Sequence, residues 1–259
     1  MWHGNTGGIH YGFWNKNTKN HKEALLNTNK VLADEAHIKK DDYVLDAGCG
    51  VGGSALWLAE KIGCRVHGVT ITPSQVDKAR QSSQNKNLTD KLTFTKQDFL
   101  HTNFPDATFD VVWAIESVCH AENKSDFIHE AHRVLKKGGR LVISDGFLMR
   151  EPSTNRERKW LNEFLEGWAL SNLANKDDFT QRLRDAGFKN VKVTNMKEEV
   201  LPEARKIYRM TMWGYPLTRI TEMLHITSPI LTKNNLGGLA QYHLIQGNIM
   251  NHFVFCAEK

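Results

Sequence analysis

The sequence is short of several features that would place it in a class at once. It has only four cysteines in 259 residues, Cys49, Cys64, Cys119 and Cys256, with no C-x-x-C pair and no metal-finger spacing among them. That excludes a disulfide scaffold and a zinc ribbon, and reduced thiols in a cytoplasmic protein are the simplest account. No stretch approaches the roughly 18 consecutive apolar residues of a membrane span. The opening MWHGNTGGIHYGFW has neither a basic region nor an apolar one of the signal-peptide kind. Basic residues outnumber acidic ones by 34 to 29, yet Lys and Arg never form a run of five or six. A mild positive field favours an anionic ligand weakly and leaves no footprint for nucleic acid. Repeats and low-complexity segments are also missing.

What is present is a rhythm. Tyr43-Val-Leu-Asp-Ala-Gly-Cys49 is a short apolar run of buried-strand type, and Gly52 to Gly63 reads as a helix with a glycine stop. Cys64 to Ile71 is a second strand. Thr72 at N-cap, Pro73 at N1 and Gln75 at N3 then open a helix. Further strands follow at Lys91–Asp98, Phe109–Ser117 and Arg140–Phe147. The helix that begins near Lys124 is expected to run to the glycine pair Gly138-Gly139. Such alternation predicts an α/β fold, doubly wound, with a mostly parallel seven-stranded sheet of Rossmann-like type. Residues 251–259 suggest a last, antiparallel strand at an edge. A single domain over 1–259 is expected. It would comprise an N-terminal aromatic and helical segment (1–40), a ligand-binding core (41–149) and two cap insertions (150–176 and 197–250). The second insertion is too long for an ordinary connection and reads as a helical cap over the rim of the sheet.

The glycines Gly48, Gly50 and Gly53 satisfy G-x-G-x-x-G between a strand and a helix, the context in which a backbone approaches a nucleotide ligand. One part is missing. A NAD site wants an acid at the end of the second strand, and that strand ends at Thr70. A dinucleotide oxidoreductase is therefore disfavoured.

Together, VLDAGCGVGG, GVTITPSQ, QDF, WAIESVCHAENK and RVLKKGGRLVISD resemble class I S-adenosylmethionine-dependent methyltransferases. The nearest branch contains tocopherol and sterol methyltransferases. The likeness covers about Ile9 to Phe147 strongly and the rest loosely. It implies that Asp46, Gly48 and Gly50 surround the methionine part of the cofactor. Thr70 and Gln75 would hold the ribose hydroxyls, Asp98 the adenine amino group, and Phe99 would lie beside the ring. Two readings compete at Gln75, because Thr72 and Gln75 also have the spacing of a capping box. Phe99 is equally readable as core packing. Tyr11 and Trp14, in the motif HYGFWN, would close over the sulfonium with their ring faces or staple the first helix.

The chemistry implied is in-line methyl transfer, in which the protein aligns donor and acceptor and excludes water. Three candidates for a catalytic acid or base follow the fourth and fifth strands: Glu116, His120 and Asp145. An imidazole titrates near neutrality, which suits a general base, but a loop histidine satisfied by backbone fits too. Asp145 is alternatively a helix cap. No metal site is expected. The aromatic cap (Trp160, Trp168, Tyr208, Trp213, Tyr215, Tyr242) fits a lipophilic acceptor such as a prenylated phenol, terpenoid, sterol-like or polyketide compound. It fits the contact surface of a homodimer as well. Competing functions on the same fold are a cyclase or rearrangement catalyst that retains the cofactor, a non-catalytic ligand binder, and an RNA methyltransferase. The last is disfavoured by the apolar cap and the lack of an RNA module.

Overall fold

Val44 to Ala47 are buried on both faces, as a strand covered by helices on either side must be. This is β1 (Tyr43–Ala47), an interior strand of the sheet. The computed structural model describes residues 10–259, so the first nine positions of the expected aromatic segment lie outside the described residues. The other strands are β2 (Arg65–Thr70), β3 (Leu92–Lys96), β4 (Phe109–Ile115), β5 (Leu135–Leu148), β6 (Lys189–Asn195) and β7 (Met250–Glu258). Between them run α1 (His21–Glu35), α2 (Gly53–Lys61), α3 (Pro73–Asn85), α4 (Lys124–Val134), α5 (Asn155–Gly167), α6 (Lys176–Asp185), α7 (Lys197–Met223) and α8 (Pro229–Gln246).

The sheet order is β3-β2-β1-β4-β5-β7-β6, with β7 antiparallel to both of its neighbours. The strand period of two sorts β4 between the two faces. Val111 and Trp113 join Leu32, Leu58 and Val76 of the first three helices. Val112 and Ala114 join Phe127 of α4 and Phe179 of α6 on the other face. A third cluster lies above the rim, where Phe164, Ala204, Ala240 and Leu244 bring α5, α7 and α8 together.

Two expectations need correction. The helix before β5 ends at Val134, four residues ahead of Gly138. Leu135 instead pairs with Phe109 at the base of β4, and Lys136 reaches the Asp110 carboxylate at 2.8 Å. Tertiary pairing overrides helix propensity here. The C-terminal strand is not at an edge. It is buried almost throughout, while β6, half exposed, forms the border.

The cap helices approach with little side chain between them. A Cβ on Gly167 would stand 2.6 Å from the Cα of Gly237, and one on Gly238 would stand 2.6 Å from Cγ2 of Thr211. So α5 and α8 touch backbone to backbone, and α7 packs against α8 across the next glycine. Because the obstacle at Gly237 is main chain, no rotamer change relieves it. Gly237→Val is expected to lower unfolding stability by about 1–3 kcal/mol, the usual cost of overpacking. Urea unfolding read by fluorescence checks this, and an unchanged midpoint would show that the helices can separate freely.

Candidate active site

The parallel strands deliver their C-terminal ends to one rim, and the residues after them build the site. After β1 the chain turns through Gly48 (φ +90°), Gly50 (φ +52°) and Gly52 (φ +84°). The amides of Gly48 and Cys49 donate to the carbonyl of Val69 at 3.0 and 2.9 Å, which pins the loop to the end of β2. Nothing lies within 4 Å of a Cβ built on Gly50, so this stretch borders open space. Asp46 is buried at 3 % exposure, and one of its oxygens has no partner. Burial pushes its carboxyl up to about 7, against the pull of the Ala55 amide.

Beside the loop, the Thr70 hydroxyl donates to Oε1 of Gln75 at 2.7 Å and accepts from the amide of Thr72 at 3.3 Å. Thr72 makes no side-chain cap, although it is the N-cap residue of α3. The capping box is therefore not formed, and the Gln75 side chain turns to Thr70. Asp98 is exposed, and its carboxylate accepts from the Leu100 amide at 2.9 Å. Phe99 packs edge-on against Phe127, and its ring comes within 3.8 Å of a Cβ built on Gly48. Asp46, Gly48, Thr70, Gln75 and Phe99 thus gather along the ends of β1 to β3.

Glu116, His120, Asp145 and Tyr11 meet at a second place, the lining of a cavity of about 210 Å³ under the cap. Phe164, Trp168, Ile207, Ile245 and Met250 supply its apolar wall. Glu116 holds a positive φ of 46°, a conformation that costs a non-glycine residue roughly 1–2 kcal/mol. It accepts the Tyr11 amide at 2.6 Å. Burial raises its carboxyl well above the ordinary range, and the charges of Asp145 and Glu203 add to that. Asp145 lies inside β5 and does not cap a following helix. Its oxygens accept from the amides of Cys119 (2.9 Å) and Gly146 (2.8 Å), so it holds the short 3-10 turn Val118–His120. Burial raises its carboxyl too. His120, at the end of that turn, is exposed on its outer side. Trp14 stands apart from the cavity lining. Its indole N–H reaches Glu203 at 3.5 Å, and its amide donates to the Glu199 carbonyl at 2.9 Å.

Sequence reasoning missed several lining groups. Glu203 accepts the Gly12 amide at 2.7 Å and pairs with His21 at 3.0 Å. It sits in the expected cap insertion beside Arg205 and Lys206, and nothing in that stretch of sequence marks it as a lining group. His252, whose imidazole burial lowers to about 3, shares a hydrogen bond with the Ser144 hydroxyl at 2.8 Å. Asn251 and Gln241 are each 1 % exposed. Both amide atoms of Asn251 and the nitrogen of Gln241 lack partners. The only available signal was the strand period through NHFVF, which does not distinguish a core amide from a lining one.

A methyltransferase-domain family model matches residues 45–143. Methyltransferase GfsG of Streptomyces halstedii is 30% identical over 199 residues, covering 76% of this chain and 71% of its own. The chloroplastic tocopherol O-methyltransferase of Arabidopsis thaliana is 30% identical over 212 residues, covering 75% and 61%. Among solved structures, geranyl diphosphate C-methyltransferase from Streptomyces coelicolor A3(2) superposes with a TM-score of 0.74 at 19% identity. It covers 96% of this chain and 90% of its own, a likeness of fold.

The raised Asp46 carboxyl makes stability depend on pH with a definite sign. Between its ordinary 3.8 and about 7, the unfolded chain has released this proton and the folded chain keeps it. The contribution of this group therefore falls as pH rises through that window. Asp46→Asn removes the titration. The variant should gain on the native chain by on the order of 1.4 kcal/mol per pH unit. Urea midpoints compared from pH 5 to pH 7.5 measure the widening gap, and a gap that stays constant would contradict the assignment.

Proposed function

The chain belongs to the S-adenosylmethionine-dependent methyltransferases, and from that premise we propose that it methylates oxygen, carbon or nitrogen on a lipophilic small molecule. The observation that carries the acceptor class is the make-up of the cavity. Its wall is largely apolar, its titratable side chains are carboxylates, imidazoles, the Tyr11 phenol and the Cys119 thiol, and no Lys or Arg lines it among the described residues. A diphosphate or carboxylate acceptor would find no Lys or Arg side chain there. A neutral, largely apolar molecule fits, and the unpartnered amides of Asn251 and Gln241 favour one with a hydroxyl or carbonyl to pair with them. The tocopherol relative acts on an acceptor of that kind by its name.

S-adenosylmethionine supplies a methyl group activated on a sulfonium sulfur. The residues along β1 to β3 fit this cofactor. A buried carboxylate oxygen without a partner, on Asp46, suits an ammonium group. The glycine loop, packed against Ser117 at Gly48 and open at Gly50, would receive the methionine chain. Thr70 and Gln75, already hydrogen-bonded to each other, would share the ribose diol. Asp98 and Phe99 would hold the adenine.

At the acceptor end, His120 is the general base of this reading. Asp145 positions it by gripping the 3-10 turn through the Cys119 amide. Glu116 anchors the residue 10–14 segment at the cavity wall through the Tyr11 amide. With Trp14 held by Glu203, Tyr11 is the one of these two N-terminal aromatics that lines the cavity. The apolar wall excludes water from donor and acceptor.

Two measurements test this reading. Calorimetric titration should show saturable binding of S-adenosylmethionine and none of NAD, and Thr70→Val should weaken that binding by about tenfold, the worth of one good hydrogen bond. Failure to bind the cofactor would end the proposal. A labelled-methyl assay over phenols, terpenoid alcohols, sterols and polyketides should identify an acceptor. With a hydroxyl acceptor, His120→Ala should then lower turnover by roughly 10²–10⁴, with cofactor affinity unchanged. Full turnover in that variant would reassign His120 to a purely structural role.

A further inference from the structure

Ten of the eleven exposed large hydrophobic side chains among the described residues fall between Met210 and Leu231. They occupy the far end of the hairpin formed by α7 and α8. On α7 and its C-cap, Met210, Trp213, Leu217, Ile220 and Leu224 recur at intervals of 3, 4, 3 and 4, which places them on one face. Trp213 is 78 % exposed. The turn and the start of α8 add Ile226 and Ile230, at 69 % and 64 %, so the tip is apolar on more than one side. Isolated exposed apolar residues need no explanation, whereas a continuous patch of this kind marks an interaction surface.

The charges around the patch select its partner. From Arg205 to Lys233 there are five Lys or Arg and one acid, Glu222; Arg219 lies 3.7 Å from Glu222 and Lys233 3.3 Å from Glu166, so the charge excess is the cluster Arg205, Lys206 and Arg209. Arg205, Lys206 and Arg209 are exposed, and Lys206 and Arg209 lie on the same side of α7 as the apolar stripe, toward its root. A second copy of the chain would bring these like charges together. An anionic lipid surface would neutralise them while taking up the apolar tip. No described helix is long and apolar enough to cross a membrane. The hairpin would therefore lie in the interface and not span it. Its root carries Glu203, Ile207, Gln241 and Ile245, all in the cavity wall.

We infer that the tip of the α7–α8 hairpin is a peripheral docking site for an anionic lipid bilayer. This is independent of the methyl-transfer reading, because it concerns a surface away from the cavity and is read without turnover. The experiment is co-sedimentation of the full chain with vesicles of phosphatidylcholine alone and of phosphatidylcholine with about one quarter phosphatidylserine. The native chain should sediment with the anionic vesicles and lose most of that binding in high salt. The triple variant Trp213→Ser/Leu217→Ser/Ile220→Ser should bind at least tenfold more weakly. Its circular dichroism and cofactor titration should match the native chain. Lys206→Glu/Arg209→Glu should weaken binding to the anionic vesicles selectively. Absence of binding by the native chain, or equal binding by the triple variant, would overturn the inference. So would a lipid-free dimer in light scattering that the triple substitution dissociates, since the face would then belong to a second copy.

Discussion

Ser117, buried at 5 % exposure, donates its hydroxyl to the carbonyl of Ala47 at 2.6 Å, and the distance between the two halves of the site depends on this contact. It spans the end of β1 and the end of β4, the point where the strand order reverses and a crevice opens. A Cβ on Gly48 would stand 2.4 Å from the Cβ of Ser117, so the glycine is what lets the hydroxyl reach across. On one side of Ser117 lies Glu116, whose positive φ turns the chain off the strand. On the other side lies the 3-10 turn that ends at His120 and is held by Asp145 of β5. Moving Ser117 would shift the glycine loop, the Glu116 carboxylate and the His120 imidazole together. A reaction that needs donor and acceptor in line favours such a shared mount.

Three carboxyl groups, Glu116, Asp145 and Glu203, line the same cavity, and burial raises each of them. Buried acids cost stability unless they are hydrogen-bonded or keep their proton. Here two of them are put to structural use. The amides of Tyr11 and Gly12 donate to Glu116 and Glu203, so consecutive residues of the N-terminal segment are tied down from two elements. The amides of Phe13 and Trp14 then reach the Ala24 and Glu199 carbonyls. A chain of backbone donors thus fixes the segment across the rim without a strand or helix of its own. The imidazoles of His10 and His252, lowered by burial to about 4 and about 3, stay neutral beside these acids at neutral pH.

How much of this was legible in the sequence follows from the range of the forces involved. The alternation of strand and helix is local and periodic, and it predicted the seven-stranded sheet. The loop at Gly48 and Gly50 is legible from its glycine spacing between a strand and a helix, and both glycines take the positive φ that few other residues adopt. The Thr70 and Gln75 pair was visible as a pattern, yet its competitor, the capping box, had the same spacing. Only the side-chain direction separates them, and a hydroxyl five residues away proved the better partner. Burial of β7 was misjudged because a terminal segment gives no sign of which strands will flank it. Glu203, Asn251 and Gln241 were invisible for a related reason. Nothing in a helix or strand pattern distinguishes a polar group facing water from one facing an enclosed cavity.

The cap shows how a loosely patterned segment can still define a wall. At its root the helices are joined at Gly167, Gly237 and Gly238, where side chains would force them apart. Beyond Thr211 the two helices still meet at Gly214, where a Cβ would stand 3.0 Å from the Asn235 side chain. Pro216 removes one hydrogen bond from α7, and the amide of Asn235 to the Thr218 hydroxyl at 3.1 Å is a polar tie of α8 to this stretch. Large apolar side chains on α7 change from buried to exposed over the same interval, with Ile207 in the core and Trp213 in solvent. The hairpin therefore has two regimes. Its root is close-packed and shapes the cavity, and its tip contributes little to the core. A tip with no packing role has no structural need for Trp, Leu and Ile. Keeping them exposed carries a solubility cost, so the packing of this chain alone gives no reason for them to be there.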